Sequence, residues 1–181
     1  MNLKLLLVVF MLFAHAPVGP SVGERYYEPS GGFSLCPPAG WVVREAPGQK
    51  FKVLLLLSGE LPVANVIAKE TEFEGSLEEF VSGNLSMLSQ MSEAGRIKSY
   101  RLLGRSELKT DAGAQALKAV TEQEINGHLL RQSFYAFDAG KGRKIYLIST
   151  VPTETGEKYD KALDESAKTF RLEEAPAASK P

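Results

Sequence analysis

The sequence predicts an α+β fold: a central antiparallel sheet of six to seven strands, built from a hairpin plus a four-stranded meander, with two helices packed on it. Three observations predict it. Asn126-Gly127 sits between two alternating runs and is the strongest short-range hairpin signal, because both residues tolerate positive φ. Ser76-Leu77-Glu78-Glu79 opens a helical repeat with a capping box. A second amphipathic run, Glu154–Phe170, closes the chain.

The 181 residues fit one domain of the usual ~100–200 residues. At the N-terminus, Lys4 precedes an unbroken apolar run, Leu5–Phe13. That run has signal-peptide length and falls well short of the ~20 residues that span a bilayer. Ala14-His15-Ala16 offers small residues for cleavage after Ala16, and Ser21-Val22-Gly23 offers a second point after Gly23. Residues 1–23 therefore read as a leader, 24–171 as the domain and 172–181 as a disordered tail. The expected location is exported, periplasmic or secreted, with no transmembrane segment in the mature chain.

Phe33–Cys36 alternates as a short strand that Pro37-Pro38 stops. Trp41, the sole tryptophan, follows a Gly turn and reads as a core anchor, the alternative being a stacking platform for a sugar or base. Phe51–Leu57 and Val63–Thr71 form a hairpin across Ser58–Pro62. The capped helix places Leu77, Phe80, Val81, Leu88 and Met91 on one stripe. Asn84 interrupts that stripe, either bonded to a neighbouring backbone group or touching a ligand. Met87 and Met91 read as packing residues.

The meander comprises Ile97–Lys109, Ala114–Ile125, His128–Phe137 and Arg143–Val151. Its Asn-Gly turn sets Glu122 opposite Arg131, Lys118 opposite Tyr135 and Ala119 opposite Phe134. The face bearing Leu117, Ala119, Ile125, Leu130, Phe134 and Ala136 reads as core. The opposite face is half apolar, as expected beneath a helix. The closing helix offers Tyr159, Ala162, Leu163, Ala167 and Phe170 to it.

Several of these residues together resemble one known family: Gly32-Phe33-Ser34-Leu35, the Pro38-x-Gly40-Trp41 corner, the capped helix after two strands, the meander, and the ending Ser166-Ala167-Lys168-Thr169-Phe170-Arg171. Over Glu28 to Arg171 the chain resembles the PsbP-like superfamily, in a bacterial exported form. That superfamily takes in the extrinsic photosystem II subunit, periplasmic DcrB-type lipoproteins and Ran-binding Mog proteins. The resemblance implies helices on both sides of the sheet and a non-enzymatic binding or stabilising role. Cys36 stands where an aromatic often precedes the proline, and the lipoprotein cysteine is missing. The export signal argues against a nuclear Ran partner.

Charge and composition exclude several functions. Lys+Arg of 21 against Asp+Glu of 22 gives no broad drive toward nucleic acid, and no aromatic-basic stripe offers a single strand a platform. One Cys and two His exclude an internal disulfide and a multi-ligand zinc site. After export His128 is the only histidine. A hydrolase would have to pair it with Cys36 or a serine, and no G-x-S-x-G elbow exists. Cys36 itself reads as buried and inert rather than an intermolecular partner. Glu70, Glu72 and Glu74 share one side of a strand end and could attract calcium, but a solvated edge is the expected role. Lys141, Arg143 and Lys144 surround Gly140 and Gly142 as a turn, without the P-loop pattern. No catalytic residue, cofactor or metal site is assigned. The expected function is binding a protein or small ligand in the cell envelope. The alternatives are an extracytoplasmic hydrolase and a structural subunit of an envelope complex.

Overall fold

The structure, a computed structural model, describes residues 21–58 and 60–173. In order, these form β1 (Tyr26–Glu28), β2 (Phe33–Leu35), β3 (Val42–Arg44), β4 (Val53–Ser58), β5 (Leu61–Glu72), α1 (Leu77–Glu93), β6 (Lys98–Lys109), β7 (Gln115–Ile125), β8 (His128–Asp138), β9 (Arg143–Pro152), α2 (Thr153–Lys168) and β10 (Arg171–Leu172). A seven-stranded sheet runs β3-β4-β5-β9-β8-β7-β6, and a three-stranded sheet runs β1-β2-β10. Their ladders are antiparallel. Residues 1–20, which hold most of the expected leader and its Ala16 junction, lie outside the described residues, as does the chain beyond Glu173.

Asn126 and Gly127 adopt φ of 52° and 81°, the left-handed pair that matches the twist of a two-residue hairpin. The register follows: Glu122 faces Arg131, Lys118 faces Tyr135 and Ala119 faces Phe134, as the turn requires. The meander then closes onto the first hairpin through β9 and β5.

Both faces of β7, β8 and β9 carry buried side chains, so the sheet lies between α1 on one side and α2 with the small sheet on the other. On the α1 face, Phe80 and Val81 pack on Ala119 and Ala136, rimmed by Phe134 and Tyr146. On the α2 face, Ala116, Tyr135, Phe137, Ile145 and Leu147 join Leu163, Ala167 and Phe170 with Phe33, Leu35 and Phe51. The larger core is thus on the face that looked only half apolar in sequence. The difference comes from Phe33 and Leu35 of β2 and from Phe51 ahead of β4, which reach this face from far along the chain. Ile125, assigned to the core, is 36% exposed at the hairpin tip.

The Ser76 hydroxyl accepts the Glu79 N–H at 3.1 Å, and the Glu79 carboxylate accepts the Ser76 N–H at 2.7 Å, completing the capping box. The helix α2 begins on Pro152 without a side-chain cap. Polar clamps hold it instead. Asp164 accepts from Lys118 at 2.6 Å and from the Tyr135 hydroxyl at 2.8 Å, and Asp160 pairs with Arg131 at 2.6 Å. Burial, with the Asp164 charge beside it, pushes the Tyr135 hydroxyl far above its ordinary range, so it stays a donor.

Phe170 ties the layers together. Its ring stacks on Phe137 at 3.9 Å and on Phe33 at 5.5 Å between centroids. Leu172, placed in the tail by sequence, belongs to the fold: β10 pairs with β2, and the Glu173 N–H donates to the Gly32 carbonyl at 2.9 Å. At the other end, Val22 bridges Pro38, and the Gly23 N–H donates to the Pro37 carbonyl at 2.7 Å. Gly23, taken as the end of the leader, is therefore stitched to the domain.

Glu28 is buried at the end of β1 and accepts from the hydroxyls of Tyr26 and Ser30 and the N–H groups of Ser30 and Lys52. Burial opposes its ionisation, but these donors outweigh burial and hold the carboxyl below its ordinary 4.5.

Replacing Phe170 removes the ring that stacks on both β2 and β8. Phe170→Ala is expected to lower unfolding free energy by about 3–5 kcal/mol, read by urea denaturation. A folded-state carboxyl held low contributes stability that is present above pH 4.5 and lost as pH falls through its folded value. Urea midpoints are expected to fall below that pH, and Glu28→Gln to flatten part of the slope.

Candidate functional site

Cys36 follows β2 and is half-buried against the C-terminal end of α2. Its N–H donates to the Thr169 hydroxyl at 2.7 Å, and its carbonyl accepts from the Ser166 hydroxyl at 2.6 Å. That end of α2 lies at the Asp138 end of β8, since Phe170 stacks on Phe137 and the Lys168 carbonyl accepts the Asp111 N–H at 2.8 Å. His128 is exposed at the opposite end of β8, a strand of 11 residues. At about 3.3 Å per residue the two ends are about 33 Å apart. Cys36 and His128 therefore do not form a hydrolytic pair, which requires contact near 3 Å. Among the described residues His128 hydrogen-bonds to no serine.

The three glutamates do not converge. Glu70 pairs with Lys50 and, at 3.4 Å, with Arg143. Glu72 is exposed opposite Arg143 in the ladder, and Glu74 lies past the strand with its carboxylate over Gly142, where a Cβ would collide with it. Among the described residues no group of three or more His, Cys, Asp or Glu is arranged to hold a metal ion. The expected solvated edge is also corrected, because β5 lies inside the sheet between β4 and β9. The basic cluster disperses as well. Lys141 occupies the turn at φ 51°, Arg143 reaches the Gly31 carbonyl at 2.9 Å, and Lys144 is buried beside Asp138 at 3.3 Å.

Trp41 is half-buried rather than a full core anchor, packed against the α2-side core with its ring edge-on to Tyr159 at 6.3 Å. Asn84 donates to the Phe80 carbonyl of its own helix at 2.8 Å, satisfying the amide locally. Met87, expected to pack, is 50% exposed, because α1 turns that position outward.

Sequence reasoning missed the feature that offers a surface. The helix α1 packs against β6, β7 and β8, and along β5 and β9 burial alternates. Ala64, Val66, Ala68, Leu147 and Val151 on the α2 face are buried, whereas Ile67 and Ile148 on the α1 face are half-buried. Leu55 and Val42 share that face through their pairing with each other and with Asn65, and they too are half-buried. None of these four belongs to either core cluster. Asn65, Lys69 and Thr150 are interspersed among them. The signal available in sequence was the width of the sheet against a single covering helix.

Concave space consists of open clefts, one of about 410 Å³ lying between the start of α1 and β6–β7, lined by Leu77, Glu78, Glu107, Gln115 and Leu117. Another cleft of about 410 Å³ opens between the meander and the first turn of α2, lined by Arg101, Glu122, Arg131, Thr153 and Lys158 beside Leu103. Its Arg101–Glu122 pair closes at 2.8 Å. Between the two sheets, the space under Phe33, Leu35, Leu54, Val66 and Leu147 is about 10 Å³, no more than one water requires. No helix among the described residues is long and apolar enough to cross a membrane.

No family model matches the sequence, and no curated protein matches it. Solved structures do match. The cyanobacterial PsbP of Synechocystis sp. PCC 6803 is 14% identical, with a TM-score of 0.62 over 89% of this chain and 98% of that one. LpqN of Mycobacterium tuberculosis, a protein involved in cell envelope biogenesis, is 12% identical, with a TM-score of 0.60 over 84% and 86%. The Saccharomyces cerevisiae Ran-binding protein Mog1p is 11% identical, with a TM-score of 0.57 over 84% and 96%. This fold is thus shared by proteins of different names and sources at low identity, and this chain has the PsbP-like fold.

Proposed function

We propose that this chain is an exported, non-catalytic domain of the cell envelope that binds a protein partner through the open α1-side half of its sheet. The observation that carries the reading is the row Val42, Leu55, Ile67 and Ile148, a half-buried apolar face interspersed with polar groups. Protein interfaces combine such an apolar centre with a polar rim. Small-molecule sites are concave and mostly apolar. The filled space between the sheets and the charged, open cleft at α2 therefore support a protein over a small ligand. The separation of Cys36 from His128 supports a non-catalytic role.

The apolar run after Lys4 supports export, as does the likeness to an envelope protein. Cleavage after Ala16 keeps the Val22–Pro38 bridge, whereas cleavage after Gly23 removes it, so the first junction is the one that fits the fold.

The test is capture from the native envelope fraction. The wild-type protein is expected to retain a defined partner, and Ile67→Lys to weaken retention at least about tenfold, as loss of a central interface residue does. Met87→Lys, on an exposed position of α1, is expected to leave it unchanged. Equal retention by Ile67→Lys and wild type would contradict the reading.

A further inference from the structure

The two edges of the large sheet are unlike. At one, β3 has three residues; at the other, β6 has 12 and is exposed along nearly its whole length. A long open edge is a template for another strand, and proteins blunt it with bulges and charge. In β6 the bulges are confined to the first half, where the register with β7 shifts between Lys98 and Arg101 and again between Leu102 and Gly104. From Gly104 to Lys109 the ladder is unbroken.

The chemistry of this straight stretch is self-complementary. Arg105 and Glu107 face their ladder partners Ala119 and Leu117, so both lie on the α1 face. Arg105 is held toward that face by Glu78 at 2.8 Å, while Glu107 is exposed and has no ion partner among the described residues. A two-fold axis perpendicular to the sheet keeps each residue on its own face, so the axis must pass through one residue paired with its own copy. An axis at Arg105 or Glu107 sets a like charge against itself, which is destabilising. An axis at Ser106 sets Arg105 opposite Glu107 of the second copy, twice, and sets Gly104 opposite Leu108. Gly104 presents open space at its Cβ position, which leaves room for that leucine.

We propose that the occupant of this edge is a second copy of the chain: two β6 strands pair antiparallel about Ser106, joining two seven-stranded sheets through reciprocal Arg105–Glu107 pairs. The partner surface on β5 and β9 stays open in this dimer, so the two readings stand or fall separately.

Sedimentation of the protein purified from an export-competent host tests it. Wild type is expected to sediment as a dimer at micromolar concentration. Arg105→Glu and Glu107→Arg, each alone, are expected to sediment as monomers. An equimolar mixture of the two variants is expected to regain the dimer, because each then faces opposite charge. A monomeric wild type, a single variant that stays dimeric, or a mixture that stays monomeric would each overturn the proposal.

Discussion

A sheet of seven strands at about 4.8 Å spacing is roughly 29 Å wide, whereas a helix with its side chains is about 10–12 Å across. That mismatch governs this molecule. One helix covers two or three strands, so a face guarded by α1 alone is only partly closed. The other face is closed because α2 shares it with a second sheet made from β1, β2 and β10. The same seven strands therefore carry one side covered by a helix and a second sheet and one side covered by α1 alone.

The α2 side is also where the first and last described segments meet. Arg25 donates to the Ser34 hydroxyl and the Thr169 carbonyl, each at 2.9 Å, while Ser34 donates to Glu173. These bonds tie the segment before β1, β2 itself and the segment after α2 into one small layer. Its aromatic contribution, Phe33 on Phe170 on Phe137, then welds that layer to the large sheet. Dispersion and burial of these rings are of the size that decides whether a domain of this length folds at all.

What was legible in sequence was local. Positive φ at Asn126 and Gly127 needs only their own chemistry, and one turn then fixes every pair along β7 and β8. The capping box at Ser76 and Glu79 is likewise written within four residues. What escaped is assembled from afar. Leu172 looks like tail until β2 offers it a ladder, and the face bearing Tyr135 and Phe137 looks half polar until Phe33 and Phe51 arrive from the first third of the chain. Lys118 and Arg131 lend that face its polarity, yet both are consumed by Asp164 and Asp160 of α2. Glu70 misled for a related reason: a carboxylate series suggests an exposed edge only when the strand's neighbours are unknown.

A fold shared by a cyanobacterial PsbP, a Ran-binding protein and a protein of envelope biogenesis specifies no chemistry of its own, and function resides in the sites each carries. The most direct measurement is side-chain carbene footprinting of this protein, purified and in its native envelope. Leu55, Ile67 and Ile148 should label in the purified protein and be shielded in the envelope, with Val66 and Leu147 unlabelled in both. Equal labelling of the first three in the two settings, or their protection in the isolated protein, would contradict an open face that serves as the working surface.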